Sequence, residues 1–370
     1  MLVVELEKEH LDLIKLQDDN YNNVILHVVW EDDVAVHRSD NTILPTLSLK
    51  EYISEAVLET YQKLLNSTNT SFINCEKDIK ETDEFLLQNW LESLFYERLE
   101  QKSVLILKLL EESNNNWEAV LYSLLLKSFG SKINGPSFLS VSNALDFSIL
   151  KKTSFNLQQT ESLLFGITGL LSNENCVDAY FISLKKEYEY LKKKFSLSED
   201  EVLKPEFFKL RPPNFPTIRL SQFSALYHEH QSLFAQLMNA NTLEELYSVF
   251  NISASAYWDE HYTFGKQSAK SKKQLTQSFI NLIIINTILP LKFCYAKYTG
   301  ADVNDEILKI VSVLKSEKNS IIDSFKLHGV NAVSCKESQA ILQLYNAYCS
   351  KNKCLQCAVG ASLLNRNSYF

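Results

Sequence analysis

Helical periodicity dominates most of this sequence. Apolar residues recur every three or four positions, as in "DEFLLQNWLESLFYERLEQKSVLILKLLEES" (83–113), where Leu86, Trp90 and Leu94 are spaced by four. Only 8 glycines and 7 prolines occur among the 370 residues, so few turns are specified and long helices are favoured over a many-stranded sheet. The sequence therefore predicts a large helical body.

A short β region precedes the helical part. Residues 24–30, "VILHVVW", are apolar on both faces except for His27, which is typical of a buried strand. "EDD" (31–33) is typical of a turn, and "VAVHR" (34–38) then fits the second strand of a hairpin. We predict an α+β fold, predominantly α, in which a small N-terminal β element (a hairpin or a small sheet) packs on the helical body.

A proline-rich stretch divides the helical part. "LRPPNFPTIRL" (210–220) holds three of the seven prolines, and proline pairs stop helices and stiffen connectors. Ser48 and Glu51 have the spacing of a capping box, which predicts that the first helix begins directly after Ser48. We therefore expect a β element at 1–48, interpreted as the remnant of a larger N-terminal domain, helical regions at 49–209 and 221–370, and a connector at 210–220.

Charge and hydropathy restrict the partners. The net charge is −8 and the isoelectric point is near 5.5, which does not favour nucleic acid or anionic lipid as a partner. The first ten residues carry charges and lack the apolar core of an export signal. Polar residues and a proline interrupt the most apolar stretch (279–296), which predicts a buried core helix and not a membrane span. We expect a cytoplasmic protein with a protein partner and no membrane contact.

Three cysteines lie close together near the C-terminus. Cys349, Cys354 and Cys357 in "CSKNKCLQC" have a spacing used by plant-type iron–sulfur sites, and two cysteines three apart also suit zinc. Thiolates are soft anionic ligands, so several of them can surround one ion. A tetrahedral site needs a fourth ligand, and the nearest candidates in the sequence are Cys335 and His328.

Packing is the favoured interpretation of these cysteines. Cysteine is among the most buried residue types, and Leu355 and Ala358 suit a core. The cysteine number, seven, is odd, which fits reduced thiols better than a disulfide framework. We expect no cofactor, with the three thiols pointing into separate parts of the C-terminal segment. A zinc or iron–sulfur site, or a redox dithiol, is the alternative.

Two further constellations invite a functional interpretation. His27 and the nearby Asp32 lie where a strand ends, and carboxylates at such a position can hold Mg²⁺ in a nuclease. An acidic turn beside a hydrogen-bonded core histidine is the structural alternative and is favoured. Arg211 and Arg219 flank the prolines and could bind an anion, but such arginines more often brace packed helices through buried acids.

Three histidines are assigned structural roles. His228 and His230 are two positions apart on a predicted helix, so their side chains diverge and cannot share one ion. His261 follows Asp259 and Glu260, and adjacent residues on one element do not face each other. We therefore predict neither a zinc pair at 227–231 nor an acid–base group at His261.

Several collinear stretches together resemble one bacterial family, the domain of unknown function 2851 family. These stretches are "YNNVILHVVWEDD", "NNNWEAVLYSLLLKSFG", "ESLLFGITGLL", "LRPPNFPTIRLSQFSAL", "YWDEHYTFG", "IINTILPLKFCYA" and "YCSKNKCLQCAVGASLL". The resemblance runs from about residue 18 to the C-terminus. It implies a cytoplasmic protein without an established activity.

The resemblance also implies a departure at the N-terminus. Family members begin with a Gly-Pro-Asp-Phe segment and a Glu-x-His strand, which resemble the metal-binding acids of restriction-enzyme-like nucleases. Here that segment is absent, "VELE" (4–7) offers Glu5 and Glu7 instead, and Leu13 and Lys15 replace paired histidines. We therefore expect an N-terminally short member that acts as a non-enzymatic helical scaffold or interaction protein. A degenerate or truncated nuclease-like protein is the alternative.

Overall fold

The structure, a computed structural model, describes residues 2–5, 22–66 and 72–365. Helices form most of these residues and strands only a few, which confirms the predominantly α, α+β fold with a small N-terminal sheet. The strands are β1 (Leu2–Glu5), β2 (Leu26–Val29), β3 (Thr46–Ser48), β4 (His261–Thr263) and β5 (Lys266–Gln267). The helices are α1 (Glu55–Asn66), α2 (Glu84–Glu112), α3 (Trp117–Phe129), α4 (Ser131–Ala144), α5 (Phe147–Thr153), α6 (Leu157–Ile167), α7 (Ala179–Phe195), α8 (Pro216–Glu229), α9 (Leu233–Asn239), α10 (Leu243–Val249), α11 (Gln277–Ile283), α12 (Leu289–Thr299), α13 (Asn304–Val313), α14 (Ser320–Leu327), α15 (Cys335–Gln343) and α16 (Ala358–Asn365).

The N-terminal sheet is parallel, so the small-sheet alternative is confirmed and residues 34–38 do not form the second strand of a hairpin. Its strand order is β1-β2-β3, and His27 on β2 lies between Val3 and Thr46. Residues 34–38 form no strand and pair only through one bridge, from His37 to Ile43. This loop instead packs its buried side chain, Val36, into a small core with Val24 and Leu44, and that packing outweighs the β propensity of the loop.

The first helix begins later than the capping-box spacing predicted. Ser48 precedes a short 3₁₀ turn, Leu49–Glu51, and its side chain makes no capping hydrogen bond. The Ser48 hydroxyl instead donates to the Trp30 carbonyl at 3.1 Å, which ties the end of β3 to the chain after β2. The helix α1 starts only at Glu55, after this turn.

The chain forms two compact units. The first contains Met1–Trp90, Asp323–Asn331 and Leu344–Phe370, and the second contains Leu91–Ile322 and Ala332–Gln343. Residues 210–220, the predicted connector, lie inside the second unit together with both of their flanks. They contain the 3₁₀ turn Pro212–Asn214 and the start of α8, where proline is suited to the first helical position.

Aromatic side chains form much of the core of the second unit. Phe129 meets Phe223 edge to face at 5.4 Å between ring centroids, and Phe165 meets Trp258 in the same way at 5.6 Å. All four side chains are fully buried. This geometry is the one that aromatic quadrupoles favour, and it fixes α3, α6 and α8 against the loop after α10.

The most apolar helical stretch is largely buried. The helix Gln277–Thr299 comprises α11, a π-helical turn at Ile284–Ile288 and α12. Among the described residues it is long and apolar enough to cross a membrane by length and composition. However, 72% of its apolar window is buried inside the protein, as in the core helix of a soluble protein.

Candidate metal centre

Four cysteines of the first unit line one small cavity. Cys349, Cys354 and Cys357 come from the C-terminal segment, and Cys75 comes from the loop before α2. The cavity has a volume of about 20 Å³, which is enough for about one water-sized sphere. The three C-terminal thiols thus share one cavity, although the sequence predicted that they would point into separate parts of the segment.

Two successive turns bring the three C-terminal cysteines to the cavity. Cys349 opens the 3₁₀ turn Cys349–Lys351, and Cys354 opens a second turn, Cys354–Gln356. Asn352 connects the turns with a φ of 53°, in the left-handed region that asparagine tolerates better than most residues. The Lys353 N–H then donates to the Tyr348 carbonyl at 3.0 Å, which closes the loop back on the residue before Cys349.

The start of α16 holds the third cysteine. Cys357 immediately precedes this helix, and the backbone N–H groups of Val359 and Gly360 and the Trp90 indole all act to lower the pKa of its thiol. Burial acts in the opposite direction and is stronger, so the net pKa of Cys357 is raised. A helix N-terminus favours the thiolate, which is the form of cysteine that binds a metal.

Aromatic packing positions the fourth cysteine. Phe72, three residues before Cys75, stacks on Tyr345 at 5.0 Å and meets Phe325 edge to face at 5.3 Å. The Phe72 N–H also donates to a Glu76 carboxylate oxygen at 2.9 Å. These contacts anchor the Cys75 loop to the C-terminal part of the first unit.

The thiols of Cys75 and Cys349 resist ionisation. Burial, followed by the nearby Cys357 and Cys354, raises the pKa of Cys75 to about 12. Burial also raises the pKa of Cys349, and Cys75 is the largest of the neighbouring charges that add to this effect. Four thiolates would repel each other in this cavity unless a cation lay between them, and a bound metal ion removes that penalty.

The sulfurs line the cavity without forming a coordination sphere. Within residues 22–66 and 72–365, no group of three or more His, Cys, Asp or Glu side chains is placed to hold a metal ion as it stands. Four soft thiols are nevertheless the donor set of a closed structural zinc site. The cavity has room for a single ion, whereas an iron–sulfur cluster of several atoms needs more space.

The two fourth ligands proposed from the sequence lie elsewhere. His328 stacks on Phe72, with ring centroids 6.2 Å apart, and its Nε2 lies 3.9 Å from a Glu76 carboxylate oxygen. Cys335 belongs to the second unit, where it is fully buried at the start of α15. Among the described residues that line the cavity, Cys75 is the fourth cysteine. No local pattern marked it, because 274 residues separate it from Cys349.

The proposed nuclease residues differ in exposure. His27 is only 4% exposed, whereas Asp32 is exposed in the bend after β2. Glu5 lies on β1 opposite Val29, and its side chain is outside the described residues, as are Glu7, Leu13 and Lys15. His27 is therefore shielded from solvent whereas Asp32 faces it.

The two arginines do not share a site. Arg211 is exposed, whereas Arg219 is buried and donates to Gln222 at 2.9 Å and to Asn214 at 2.5 Å. The guanidinium carbon of Arg219 lies 3.4 Å from the centre of the Phe279 ring. Burial lowers the pKa of Arg219 to about 10. Amides and an aromatic face thus hold Arg219, in place of the buried acids that the sequence suggested.

Two of the histidines contact backbone carbonyls. The Nδ1 of His228 lies 2.7 Å from the Ser154 carbonyl, and that of His261 lies 2.9 Å from the Tyr257 carbonyl. The His261 ring also stacks on Tyr257, with centroids 4.1 Å apart. These contacts agree with the structural roles predicted for both residues.

Sequence reasoning missed a buried carboxyl group in the second unit. Glu161 on α6 is 1% exposed and accepts hydrogen bonds from Tyr180, from Ser255 at 2.9 Å and from Trp258 Nε1 at 3.3 Å. Burial raises the pKa of Glu161, although these hydrogen bonds and one from Ser221 oppose the shift. Glu161 and two of its hydrogen-bond partners, Ser221 and Trp258, belong to three different stretches that carry the family resemblance. A lone Glu in an apolar helical stretch was the available signal.

The chain belongs to the family described as Protein of unknown function (DUF2851), whose sequence pattern matches residues 12–320. This match confirms the resemblance found in the sequence. It covers most of the 370 residues, including Cys75, and ends before the C-terminal cysteines. No curated protein and no solved structure matches the chain.

Proposed function

We propose that the first unit carries a structural zinc ion bound by Cys75, Cys349, Cys354 and Cys357. The observation that carries this proposal is that four thiols from two distant segments line one ion-sized cavity. Neutral apolar packing would not need the polar groups directed at these sulfurs, such as the Asn74 amide, which lies 3.4 Å from the Cys354 sulfur. Zinc would neutralise the thiolates and join the Cys75 loop to the C-terminal segment.

A closed four-cysteine site has no open coordination position, so its zinc supports folding and not catalysis. We therefore propose a cytoplasmic, non-enzymatic scaffold or interaction protein whose first unit is stabilised by zinc. Ile25, Tyr52 and Phe85 of the first unit are each more than 70% exposed and are available for contact with a protein partner. The acidic net charge of −8 supports a protein partner over nucleic acid.

Metal analysis of the intact, tag-free protein, purified without chelators, tests the zinc site. We expect about one zinc ion per chain in the wild type, and a large loss of zinc in Cys354→Ser and in Cys75→Ser. Cys176→Ser is the matched control, because Cys176 is a half-buried thiol of the second unit, and it should retain zinc. A wild-type protein without zinc, or equal zinc in all variants, would reject the proposal.

One observation favours the nuclease alternative. The parallel pairing of β1 with β2 puts Glu5 on the strand next to the one that carries His27. The family resemblance implies an acid pair from a Gly-Pro-Asp-Phe segment and a Glu-x-His strand, and Glu5 is an acid of this chain that could stand in for part of it. A cleavage assay with Mg²⁺ or Mn²⁺ separates this alternative from the scaffold, and its expected result is given in the Discussion.

A further inference from the structure

The second unit contains an open pocket of about 540 Å³. Its walls come from α2, α3, the first residues of α4, α11, the π-helical turn Ile284–Ile288 and the start of α12. This volume is within the range of pockets that hold small organic ligands. Asn286 and Thr287 of the π-helical turn form one wall of the pocket. Such turns are rare and occur frequently at functional sites.

All charged side chains that line the pocket are basic. They are Lys102, Lys127 and Lys132, and no Asp or Glu lies among the described lining residues. The whole chain carries a net charge of −8, so this concentration of positive charge opposes the general trend of the molecule. Lys127 and Lys132 are exposed at the rim, where they can attract an anion from solution.

The remaining walls are largely apolar. Leu105, Leu124, Phe279, Leu282 and Pro290 contribute to them. Leu282 is 45% exposed and lies on the helix that is otherwise largely buried. A ligand that matches the pocket therefore combines a negative charge with an apolar body.

Neutral acceptors hold the innermost lysine. The Lys102 ammonium donates to Asn286 Oδ1 at 3.0 Å, to Gln339 Oε1 at 3.2 Å and to the Ile285 carbonyl at 3.3 Å. Burial and the nearby Arg98 lower the pKa of Lys102 to about 7, and Glu317 only partly opposes them. An anion in the pocket would favour the charged form of Lys102, so ligand and lysine would stabilise each other.

A hydrogen bond fixes the wall opposite α2. The Ser128 and Thr287 hydroxyls lie 2.5 Å apart and join α3 to the π-helical turn. Both residues line the pocket. The pocket is therefore formed before any ligand arrives, which reduces the entropy that binding must offset.

We propose that this pocket binds a small organic anion with an apolar body, of the class of medium-chain carboxylates. The carboxylate lies among the three lysines, and the hydrocarbon chain lies against Leu105, Phe279 and Leu282. The proposal rests on residues of the second unit alone, so it stands independently of the zinc site in the first unit.

Isothermal titration of the intact protein with decanoate, below its micellar concentration, tests the proposal. Decanol serves as the uncharged control and decyltrimethylammonium as the cationic one. Lys127→Glu and Lys132→Glu reverse charges at the rim, and Lys102→Met removes the inner ammonium. Lys108→Glu is the matched control, because Lys108 is an exposed lysine of α2 outside the pocket lining. Thermal melts confirm that each variant is folded.

We expect decanoate to bind at least about tenfold more tightly than decanol, and the cation not to bind. Each of the three pocket variants should weaken decanoate binding at least about tenfold, and Lys108→Glu should leave it unchanged. Equal binding of decanoate and decanol, or equal binding by all variants, would overturn the proposal. Binding to anionic phospholipid vesicles without binding of free decanoate would also overturn it, since the surface would then recognise a membrane.

Discussion

The side-chain amide of Asn74 donates a hydrogen bond to the sulfur of Cys354 at 3.4 Å, across 280 residues of sequence. The same amide nitrogen also donates to Asn352 Oδ1 at 3.2 Å. Asn74 thus links the loop that carries Cys75 to the turns that carry the other three cysteines. This hydrogen-bonded link joins the two segments that supply the four thiols of the cavity.

The first prediction concerns Gly360, where α16 passes the Cys354 backbone. A Cβ at this position would lie 2.2 Å from the Cys354 carbonyl oxygen, so Gly360→Ala must displace backbone. We expect a loss of about 1–3 kcal/mol in the free energy of unfolding, measured by urea denaturation, together with weaker zinc retention. Ser362→Ala on the same helix is the control and should change neither. A fully stable Gly360→Ala protein with normal zinc would contradict this close packing.

Local patterns in the sequence predicted individual helices and their caps better than they predicted which distant segments pack together. The long helix α2 and the Asn cap of α3 follow from apolar spacing and from Asn116, whose side chain accepts from the N–H groups of Glu118 and Ala119. Gly130, which follows α3, has a φ of −67° and not the left-handed conformation common for glycine after a helix, because α4 follows directly.

Long-range partners could not be predicted in this way. The parallel pairing of β2 with β3, the contribution of Cys75 to the cavity and the donors around Glu161 all join segments that are distant in the sequence. Spacing rules describe one segment at a time, and the partner of a segment is chosen by packing over the whole unit. The sequence therefore identified the cluster of Cys349, Cys354 and Cys357, but it did not identify Cys75 as their neighbour in the cavity.

The second prediction concerns the buried carboxyl of Glu161. Glu161→Ala would leave the Tyr180, Ser255 and Trp258 donors without their acceptor, so we expect a loss of about 3 kcal/mol or more in the free energy of unfolding. Glu161→Gln keeps an acceptor and should lose less. Glu174→Ala, at an exposed position, is the control and should stay within about 0.5 kcal/mol of the wild type.

The pH dependence of Glu161 follows from the direction of its pKa shift. Burial raises its pKa in the folded protein, so the folded state holds the proton more tightly than the unfolded chain does. Its stabilising contribution is therefore complete below the ordinary glutamate pKa and is lost as the pH rises through the raised value. As the pH rises above the ordinary glutamate pKa, the wild type should lose stability relative to Glu161→Gln. An opposite slope in denaturation measurements would contradict the raised pKa.

The third prediction concerns His27 on β2. His27 is 4% exposed, so an aspartate there would bury a carboxylate, at a penalty of several kcal/mol. We expect His27→Leu to be more stable than His27→Asp in thermal denaturation. His37→Asp, at an exposed histidine of the same region, should differ little from the wild type. Equal stability of His27→Leu and His27→Asp would show that the strand is open to water.

The fourth prediction is that the intact protein does not cleave DNA or RNA with Mg²⁺ or Mn²⁺. The reason is that His27 is buried whereas Asp32 is exposed, so these two candidates do not face a common open site. Incubation with plasmid DNA and with single-stranded RNA, followed by gel electrophoresis, measures this directly. Metal-dependent cleavage that disappears in Glu5→Ala or Asp32→Ala protein would establish the nuclease alternative.

The most direct test of the zinc site is X-ray absorption at the zinc edge of the intact protein. We predict a first shell of four sulfur atoms at about 2.3 Å, because Cys75, Cys349, Cys354 and Cys357 are the cysteines that line the cavity in the described part of the chain. In Cys75→Ser, any zinc that remains should have three sulfur neighbours and one lighter atom. A wild-type shell dominated by nitrogen or oxygen, or an unchanged four-sulfur shell in Cys75→Ser, would contradict the four-cysteine centre.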